Sequence, residues 1–592
     1  MCGIAGFQTI DGSIPDQALL DRFAKSLAHR GPDGQGQHLR PGLGMIQMRL
    51  AIIDLDGGDQ PFYGPEGKSD NALIANGEIY NYRELRNGMQ DCTFATNSDC
   101  EPPLHLYSKY GLDFVKHLRG MYTIAVDDTK QDLLVLARDP FGIKPLYYCE
   151  TPLGFAFASE AQALIAAGVI SAEMETSKRN ELLQLQFTTG RQTVFEGIKR
   201  VMPGEVLVIK NGRIAERHQH NALPTGEVRG LDENDAIELL DQYLEESTDL
   251  HQRADVDYGM FLSGGIDSSA LIAMMARLNV RPVHAFTVGF DSPSVHDERE
   301  QARRIAASVG AEHEEVSFGE EDFWSLLPKA VAATDDPVAD YAILPTYKLA
   351  MKAHDAGLKV ILSGEGGDEF FGGYGRYRSA MRWRLFGGRP MRTKGIFDGL
   401  GILRQEPPPS EWRAGIAASE KSEGNVHRSR FQVAQAVDIA DWLPNDLLTK
   451  LDRCLMANGI EGRVPFIDPV LADFAFRLPD GLKVKKRMGK LLLRKWLDKN
   501  MPVAEPFARK KGFTVPVADW IGDKGKQLGT LIAALPSIEE ICNPDAVKGL
   551  FLSTGTKQND KAAWSLLYYA LWHRRHIEGI VSEGDVIDIL AS

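Results

Sequence analysis

Beyond residue 232 the chain alternates between two hydrophobic patterns. Asp232 to Ser247 carries apolar residues at helical spacing with Asp and Glu between them, which predicts an amphipathic helix. Tyr258 to Leu262 is a short apolar run suited to a buried strand, and Ser268 to Met275 is small and apolar throughout, which suits a helix packed on a sheet. Val283 to Phe290 reads as a second buried strand, Asp297 to Val309 as a helix and Lys359 to Leu362 as another strand. Strand and helix in alternation predict an α/β parallel sheet with its ligand at the strand C-terminal edge. In the first half, Leu133 to Ala137 reads as a strand and Val201 to Glu205 opens a final hairpin. The polar, helix-breaking stretch His218 to Asp232 reads as a linker. Domains are therefore expected at 1–217 and 233–592, joined by 218–232.

Composition narrows the class. A chain of 592 residues exceeds one ordinary core and predicts two or three domains. Its 43% hydrophobic and 25% charged content is that of a globular protein. The net charge of −14 argues against nonspecific nucleic-acid binding. No apolar run approaches the ~18 residues of a membrane span, and MCGIAGFQTI lacks the basic-then-apolar form of a secretory signal. Six scattered cysteines without a CxxC pair form neither a disulfide framework nor a zinc knuckle. A cytoplasmic protein with free thiols is expected; no nucleic acid or membrane partner is implied, and a homodimer is left open.

Between the strand ending at Leu262 and the following helix lies Ser263-Gly264-Gly265-Ile266-Asp267-Ser268-Ser269. Two glycines let the backbone turn tightly and approach a ligand. The hydroxyls and N–H groups of a helix N-terminus then seat a multiply charged anion. A Walker loop is absent: Gly67-Lys68-Ser69 comes near, but Phe62 stands where its first glycine should be. The pattern resembles the pyrophosphate loop of ATP pyrophosphatases, which implies ATP cleavage to AMP and pyrophosphate with adenylation of a carboxylate.

At the other end, Cys2 directly follows the initiator Met. Removal of Met1 would leave one residue with a thiol nucleophile and an α-amino base of pKa about 7.7–8.0. Its surroundings carry further motifs: His29-Arg30-Gly31-Pro32-Asp33-Gly34, Met48-Arg49-Leu50-Ala51-Ile52-Ile53-Asp54, Ala75-Asn76-Gly77-Glu78-Ile79-Tyr80-Asn81 and Asn97-Ser98-Asp99-Cys100-Glu101. With Cys2-Gly3-Ile4-Ala5-Gly6, these resemble the class II glutamine amidotransferase domain, an α+β N-terminal-nucleophile (Ntn) hydrolase fold with two stacked antiparallel sheets. The resemblance implies that Cys2 attacks the glutamine side-chain amide and that the Asn76 amide and Gly77 N–H form the oxyanion hole. It implies further that Arg49 holds the α-carboxylate and that Glu78 and Asp99 face the α-ammonium. Arg138-Asp139-Pro140-Phe141-Gly142-Ile143-Lys144 and Phe155 to Glu160 are read mainly as scaffold.

The second half adds Ser363-Gly364-Glu365-Gly366-Gly367-Asp368-Glu369. Over essentially the whole chain the sequence resembles glutamine-hydrolysing asparagine synthetases. That resemblance implies an ATP site of Leu262, Ser263, Gly264, Gly265, Asp267, Ser268, Ser269, Ser363 and Gly364, with Mg²⁺ on Asp267 and Asp368. Glu365 is expected to bind the acceptor or handle protons, and Lys490 to neutralise the ATP phosphates. Leu451 to Ala457 and Glu461 to Asp468 form a third block, expected as helix and loop beneath the site; Lys510-Lys511-Gly512-Phe513 is kept out of the site. The substrates implied are glutamine, ATP and a carboxylate acceptor, with an internal passage for ammonia. Asparagine-forming members carry Thr-Thr-x-Arg where this chain reads DPVADYAILPTY from Asp336 to Tyr347. Aspartate and another carboxylate, such as a cell-envelope sugar acid or peptidoglycan component, both stay open. A non-enzymatic regulatory relative should have lost some of Cys2, Asn76, Asp267, Glu365 and Asp368, and all are present. The segment Arg384 to Asp438 is not placed by its sequence.

Overall fold

The computed structural model describes residues 2–64, 67, 71–225, 230–290, 292, 295, 297–382, 390–508, 515–581 and 584–592. Lys68 and Ser69 of the near-Walker stretch, the Lys510–Phe513 stretch and the start of the Arg384–Asp438 segment lie outside them.

The first half is built on two six-stranded sheets. One runs in the order Lys199–Arg200, Tyr147–Thr151, Gly154–Ala158, Gly3–Thr9, Leu43–Arg49, Gly34–Arg40. The other runs Arg213–Gln219, Glu205–Lys210, Leu133–Arg138, Gly120–Asp128, Ala72–Ile79, Phe62–Tyr63. All their pairings are antiparallel. Ile4, Met45 and Phe157 from one sheet share a core with Ile74, Leu136 and Leu207 from the other, so apolar inner faces hold the sandwich together. The helix Gln17–Leu27 buries Leu20, Phe23 and Leu27 on one outer face. Pro102–Tyr110 buries Leu104, Leu106 and Tyr107 on the other.

The second half is centred on a five-stranded parallel sheet in the order Glu312–Phe318, His284–Phe290, Tyr258–Phe261, Val360–Leu362, Glu461–Arg463. The helices expected from their apolar spacing are Glu233–His251, Ile266–Leu278 and Arg299–Ser308. Asp232 caps the first, its carboxylate accepting from the N–H groups of Asn234 and Asp235.

Two strands differ from expectation. Glu312–Phe318 (EHEEVSF) is an edge strand with charged outward positions, so it lacks the apolar run of a buried strand. Glu461–Arg463 falls where helix and loop were expected: the helix Thr449–Met456 is found, but the residues after it close the sheet as a strand. Its two charged residues are fully buried because they pair with each other and with the first half. Among the described residues no helix is long and apolar enough to cross a membrane.

Candidate active site

Cys2 precedes the strand Gly3–Thr9 and is 7% exposed. Its N–H donates to Asn76 Oδ1 at 3.1 Å, and its carbonyl accepts from Arg30 Nε at 3.3 Å. Burial raises the thiol above its ordinary pKa, so a neighbouring base is needed to make it a nucleophile. With Asn76 Oδ1 turned to the Cys2 N–H, the Asn76 Nδ2 donor is buried and has no partner among the described residues. A buried donor left open beside a thiol is the arrangement an oxyanion needs. Gly77 follows in the strand Ala72–Ile79 at φ +155°, and a Cβ there would sit 2.0 Å from the Met121 carbonyl oxygen. Only glycine fits.

Arg49 leaves the strand Leu43–Arg49, paired beside Cys2 through Gly3 and Met48. Its Nη1 donates to the Leu55 carbonyl at 3.0 Å and to Asp59 Oδ1 at 2.8 Å, and its Nη2 donates to the Asp54 carbonyl at 2.6 Å. The Asp59 side chain is 78% exposed, so a surface carboxylate already lies on this guanidinium. Glu78 and Asp99 are both buried. Asp99 Oδ2 accepts from the Ile79 N–H at 2.7 Å. Burial raises both carboxyls above the ordinary range, Glu78 most strongly, and Asp99 adds to the push on Glu78. A pair of acids in this condition gains most from an incoming cation such as an α-ammonium.

The nucleotide-type loop is braced from within. Leu262 donates its N–H to the Phe286 carbonyl at 2.8 Å, which fixes the loop's root. Ser263 Oγ lies 2.9 Å from Ser268 Oγ and accepts from the Gly265 N–H at 3.1 Å. Ser268 Oγ donates to the Ser263 carbonyl at 2.9 Å, and Ser269 Oγ to the Gly265 carbonyl at 2.6 Å. Asp267 lies in the first turn of the helix Ile266–Leu278, and Ser363, Gly364 and Glu365 leave the neighbouring strand Val360–Leu362. The loops touch: a Cβ on Gly364 would lie 3.0 Å from Asp267 Cβ, and one on Gly367 only 2.3 Å from Asp267 Oδ1.

Lys490, in left-handed backbone at φ +56°, inserts its ammonium between Asp267 and Asp368, the latter at 2.6 Å. Two carboxylates from different loops thus converge on one cation-sized point. Glu365 belongs to the same loop as Asp368. Burial raises its carboxyl, while Lys450 on one side and Asp340, Asp368 and Asp267 around it act on it electrostatically.

Several residues in the stretches singled out by sequence make contacts that the sequence did not indicate. Glu461 Oε1 accepts from Arg463 Nε at 2.6 Å, and Arg463 Nη2 stands 3.1 Å from Glu78 Oε2 without the alignment of a hydrogen bond. Both come from the second half, yet Glu461 acts electrostatically on Cys2 and Glu78. Asp336 opens the divergent stretch and is bound twice by Arg200, at 2.7 and 2.8 Å, and by the Tyr147 hydroxyl at 2.9 Å. That part of the stretch joins the halves. Arg138 donates to the carbonyls of Gly142, Lys144 and Val201, and Asp139 accepts from the N–H groups of Phe141, Ile143 and Lys144, as a scaffold does. Phe141 also meets Phe370 edge-on at 5.5 Å, carrying the scaffold to the second half.

Residues 1–220 match the family model described as a glutamine amidotransferase domain, which puts this chain among enzymes that take nitrogen from glutamine. Residues 239–574 match the model described as asparagine synthase, and the chain belongs to that family. It is accordingly a carbon–nitrogen ligase of the glutamine-hydrolysing type. It is 31% identical to asparagine synthetase [glutamine-hydrolyzing] 1 of Bacillus subtilis, over 98% of this chain and 97% of that protein. It is 31% identical to a putative asparagine synthetase [glutamine-hydrolyzing] of Mycobacterium tuberculosis, over 98% of both. A protein called amidase chry2 from Gibberella zeae is 28% identical over 88% of this chain and 89% of its own length.

Proposed function

We propose that the chain converts aspartate to asparagine, forming an acyl-adenylate with ATP and drawing ammonia from glutamine. The observation that carries this reading is that one chain holds both stations, linked by the strand Glu461–Arg463. Its first residue acts on Cys2, and its last accepts the Ser363 N–H at 2.8 Å at the second station. The domain limits, 1–217 and 233–592, belong to the same proposal.

At the first station the Cys2 α-amino group, once Met1 is removed, takes the thiol proton. The thiolate adds to the glutamine amide carbon, and Asn76 Nδ2 and the Gly77 N–H receive the oxyanion. The Cys2 α-ammonium returns its proton to the leaving nitrogen, so that collapse releases ammonia and leaves a γ-glutamyl thioester, which water cleaves to glutamate and free thiol. Arg49 exchanges Asp59 for the substrate α-carboxylate, and Glu78 and Asp99 take the α-ammonium.

At the second station the acceptor carboxylate attacks the ATP α-phosphorus and pyrophosphate leaves from the Ser263–Ser269 loop. Ammonia then displaces AMP from the acyl carbon. Asp267 and Asp368 suit a Mg²⁺, because their carboxylates already converge on a single cation; Mg²⁺ there would neutralise phosphate charge. Lys490 then turns from these carboxylates to the departing pyrophosphate, and Glu365, held above the ordinary carboxylate range, handles the acceptor or its proton. Ammonia must travel between the stations unprotonated, since ammonium is no nucleophile.

Two observations favour a second acceptor: Tyr341 lies near the position where asparagine-forming members place an arginine, and a relative called an amidase aligns over most of its length. This alternative is the same chemistry on another carboxylate. Product analysis with glutamine, ATP, Mg²⁺ and aspartate tests the main reading. Asparagine, AMP and pyrophosphate in equal amounts are expected; ADP would overturn the adenylation step. Failure to support growth of an asparagine auxotroph would transfer the proposal to the other acceptor.

A further inference from the structure

The guanidinium of Arg49 rests on the loop that follows it in the chain. Its Nη2 donates to the Asp54 carbonyl and its Nη1 to the Leu55 carbonyl, so the course of this loop sets where the guanidinium points. Asp54 stands at φ +54°, left-handed backbone that a residue with a side chain holds only when its surroundings fix it. Every polar group of Asp54 is used in doing so. Its carbonyl accepts the Gly58 N–H at 2.9 Å as well as Arg49, and its Oδ2 accepts the Asn97 N–H at 2.8 Å. Asn97 begins the stretch that carries Asp99. One residue thus joins the guanidinium read as the α-carboxylate holder to the segment of the acid read as facing the α-ammonium.

The remaining contacts of the loop come from the second half. The Asp54 N–H donates to Asp255 Oδ2 at 2.7 Å, and the Asp255 N–H donates back to the Ile52 carbonyl at 2.9 Å. Two bonds in opposite directions fix both the distance and the register of the loop. Lys359 grips it one step earlier. Its ammonium donates to Asp33 Oδ2 at 2.7 Å, and the same oxygen accepts the Ala51 N–H at 2.8 Å. The Asp33 N–H in turn donates to the Arg49 carbonyl at 2.9 Å.

Both gripping residues are rooted in the parallel sheet. Asp255 stands just before the strand Tyr258–Phe261, and Lys359 directly precedes Val360–Leu362, its own carbonyl accepting the Glu461 N–H at 2.8 Å. A side chain placed by a sheet edge is held more precisely than one placed by a free loop. Asp255 is exposed, and Lys359 and Asp33 are 34% and 31% exposed. Contacts this open to water add little to folding stability. They can still decide which shape a strained loop keeps.

On the reading that Arg49 holds the substrate α-carboxylate, we propose that Asp255 and Lys359 are positioning residues for glutamine. The synthetase half shapes the loop that orients Arg49 and thereby sets glutamine affinity. The test is glutamate release from glutamine by the whole enzyme, which needs no acceptor. Asp255→Ala and Lys359→Met should each raise KM for glutamine about tenfold, with a much smaller change in kcat and little change in melting temperature. Asp255→Asn keeps an acceptor for the Asp54 N–H and should recover most of the loss, as should Lys359→Arg. Arg49→Lys should also raise KM. Adding Asp255→Ala to it should lower kcat/KM by much less than tenfold, because residues that act through one another are not additive. Unaltered KM in the folded Asp255→Ala and Lys359→Met variants, a fall confined to kcat, or a full tenfold effect on the Arg49→Lys background would overturn the positioning role. Unaltered KM in Arg49→Lys would overturn the reading of Arg49 itself, and the role with it.

Discussion

Arg30 and Asp452, 422 residues apart, form a two-pronged buried ion pair: Nη1 to Oδ2 at 2.8 Å and Nη2 to Oδ1 at 3.1 Å. The same guanidinium donates to the Cys2 carbonyl and to Glu160 Oε1. It thus ties the Cys2 backbone to the helix Thr449–Met456 of the other half. Removing one partner of such a pair strands buried charge at a cost of about 3–5 kcal/mol. Arg453 also binds Asp452, at 2.9 Å, which places Arg30→Met at the lower end of that range. A melting temperature several degrees lower is expected, with more glutamine hydrolysed per amide formed. A variant with unchanged melting and unchanged stoichiometry would show the pair to be dispensable.

Changes at the first station should spare the second. Cys2→Ala is expected to abolish glutamine-dependent synthesis while added ammonium salt still supports it. Asn76→Ala, which removes the open donor, should lower the glutaminase kcat about 10²–10³-fold. Parallel assays with both nitrogen sources check this; equal loss with both contradicts the division of labour.

At the second station, Lys490→Met leaves Asp267 and Asp368 facing each other. Pyrophosphate release should fall about 10²–10³-fold, as when a preorganised charge is lost elsewhere. Asp267→Asn and Asp368→Asn should instead raise the magnesium concentration for half-maximal release. A titration in which neither aspartate variant shifts that midpoint would remove the metal from these residues.

Glu369 supplies a pH signature. Its carboxyl is pushed up to about 8, first by burial and then by Asp368, while the Tyr374 hydroxyl donates to it at 2.7 Å. The folded chain keeps a proton that the unfolded chain releases above about 4.5, the ordinary value. Its contribution to stability is therefore complete below that value and declines by about 1.4 kcal/mol per pH unit until the folded pKa is passed. Glu369→Gln keeps the shape without the titration. Its melting temperature should gain on the parent's as pH rises from 5 to 8; two curves that stay parallel would refute the assignment.

Local patterns made much of this molecule legible. The strand–loop–helix from Tyr258 to Leu278 follows from an apolar run, a Gly-Gly turn and an unbroken small-apolar helix, all within one short stretch. Cys2, Asn76 and Asp267 could be picked out because their motifs are contiguous. Arg30–Asp452, Arg200–Asp336 and Arg463–Glu78 were not legible, since each joins positions more than a hundred residues apart and a charge does not disclose its counter-ion. The strand Glu461–Arg463 was missed for the same reason: buried strands are normally apolar, and this one is charged because its partners arrive from elsewhere.

The seam between the halves in sequence is not their seam in space. Glu461 acts electrostatically on the Cys2 thiol of the other half and Arg463 pairs with its Glu78, so a fragment cut near residue 217 would carry the thiol but lack part of its surroundings. Exchanging amino-terminal portions between relatives should work only when this short charged ribbon travels with the graft.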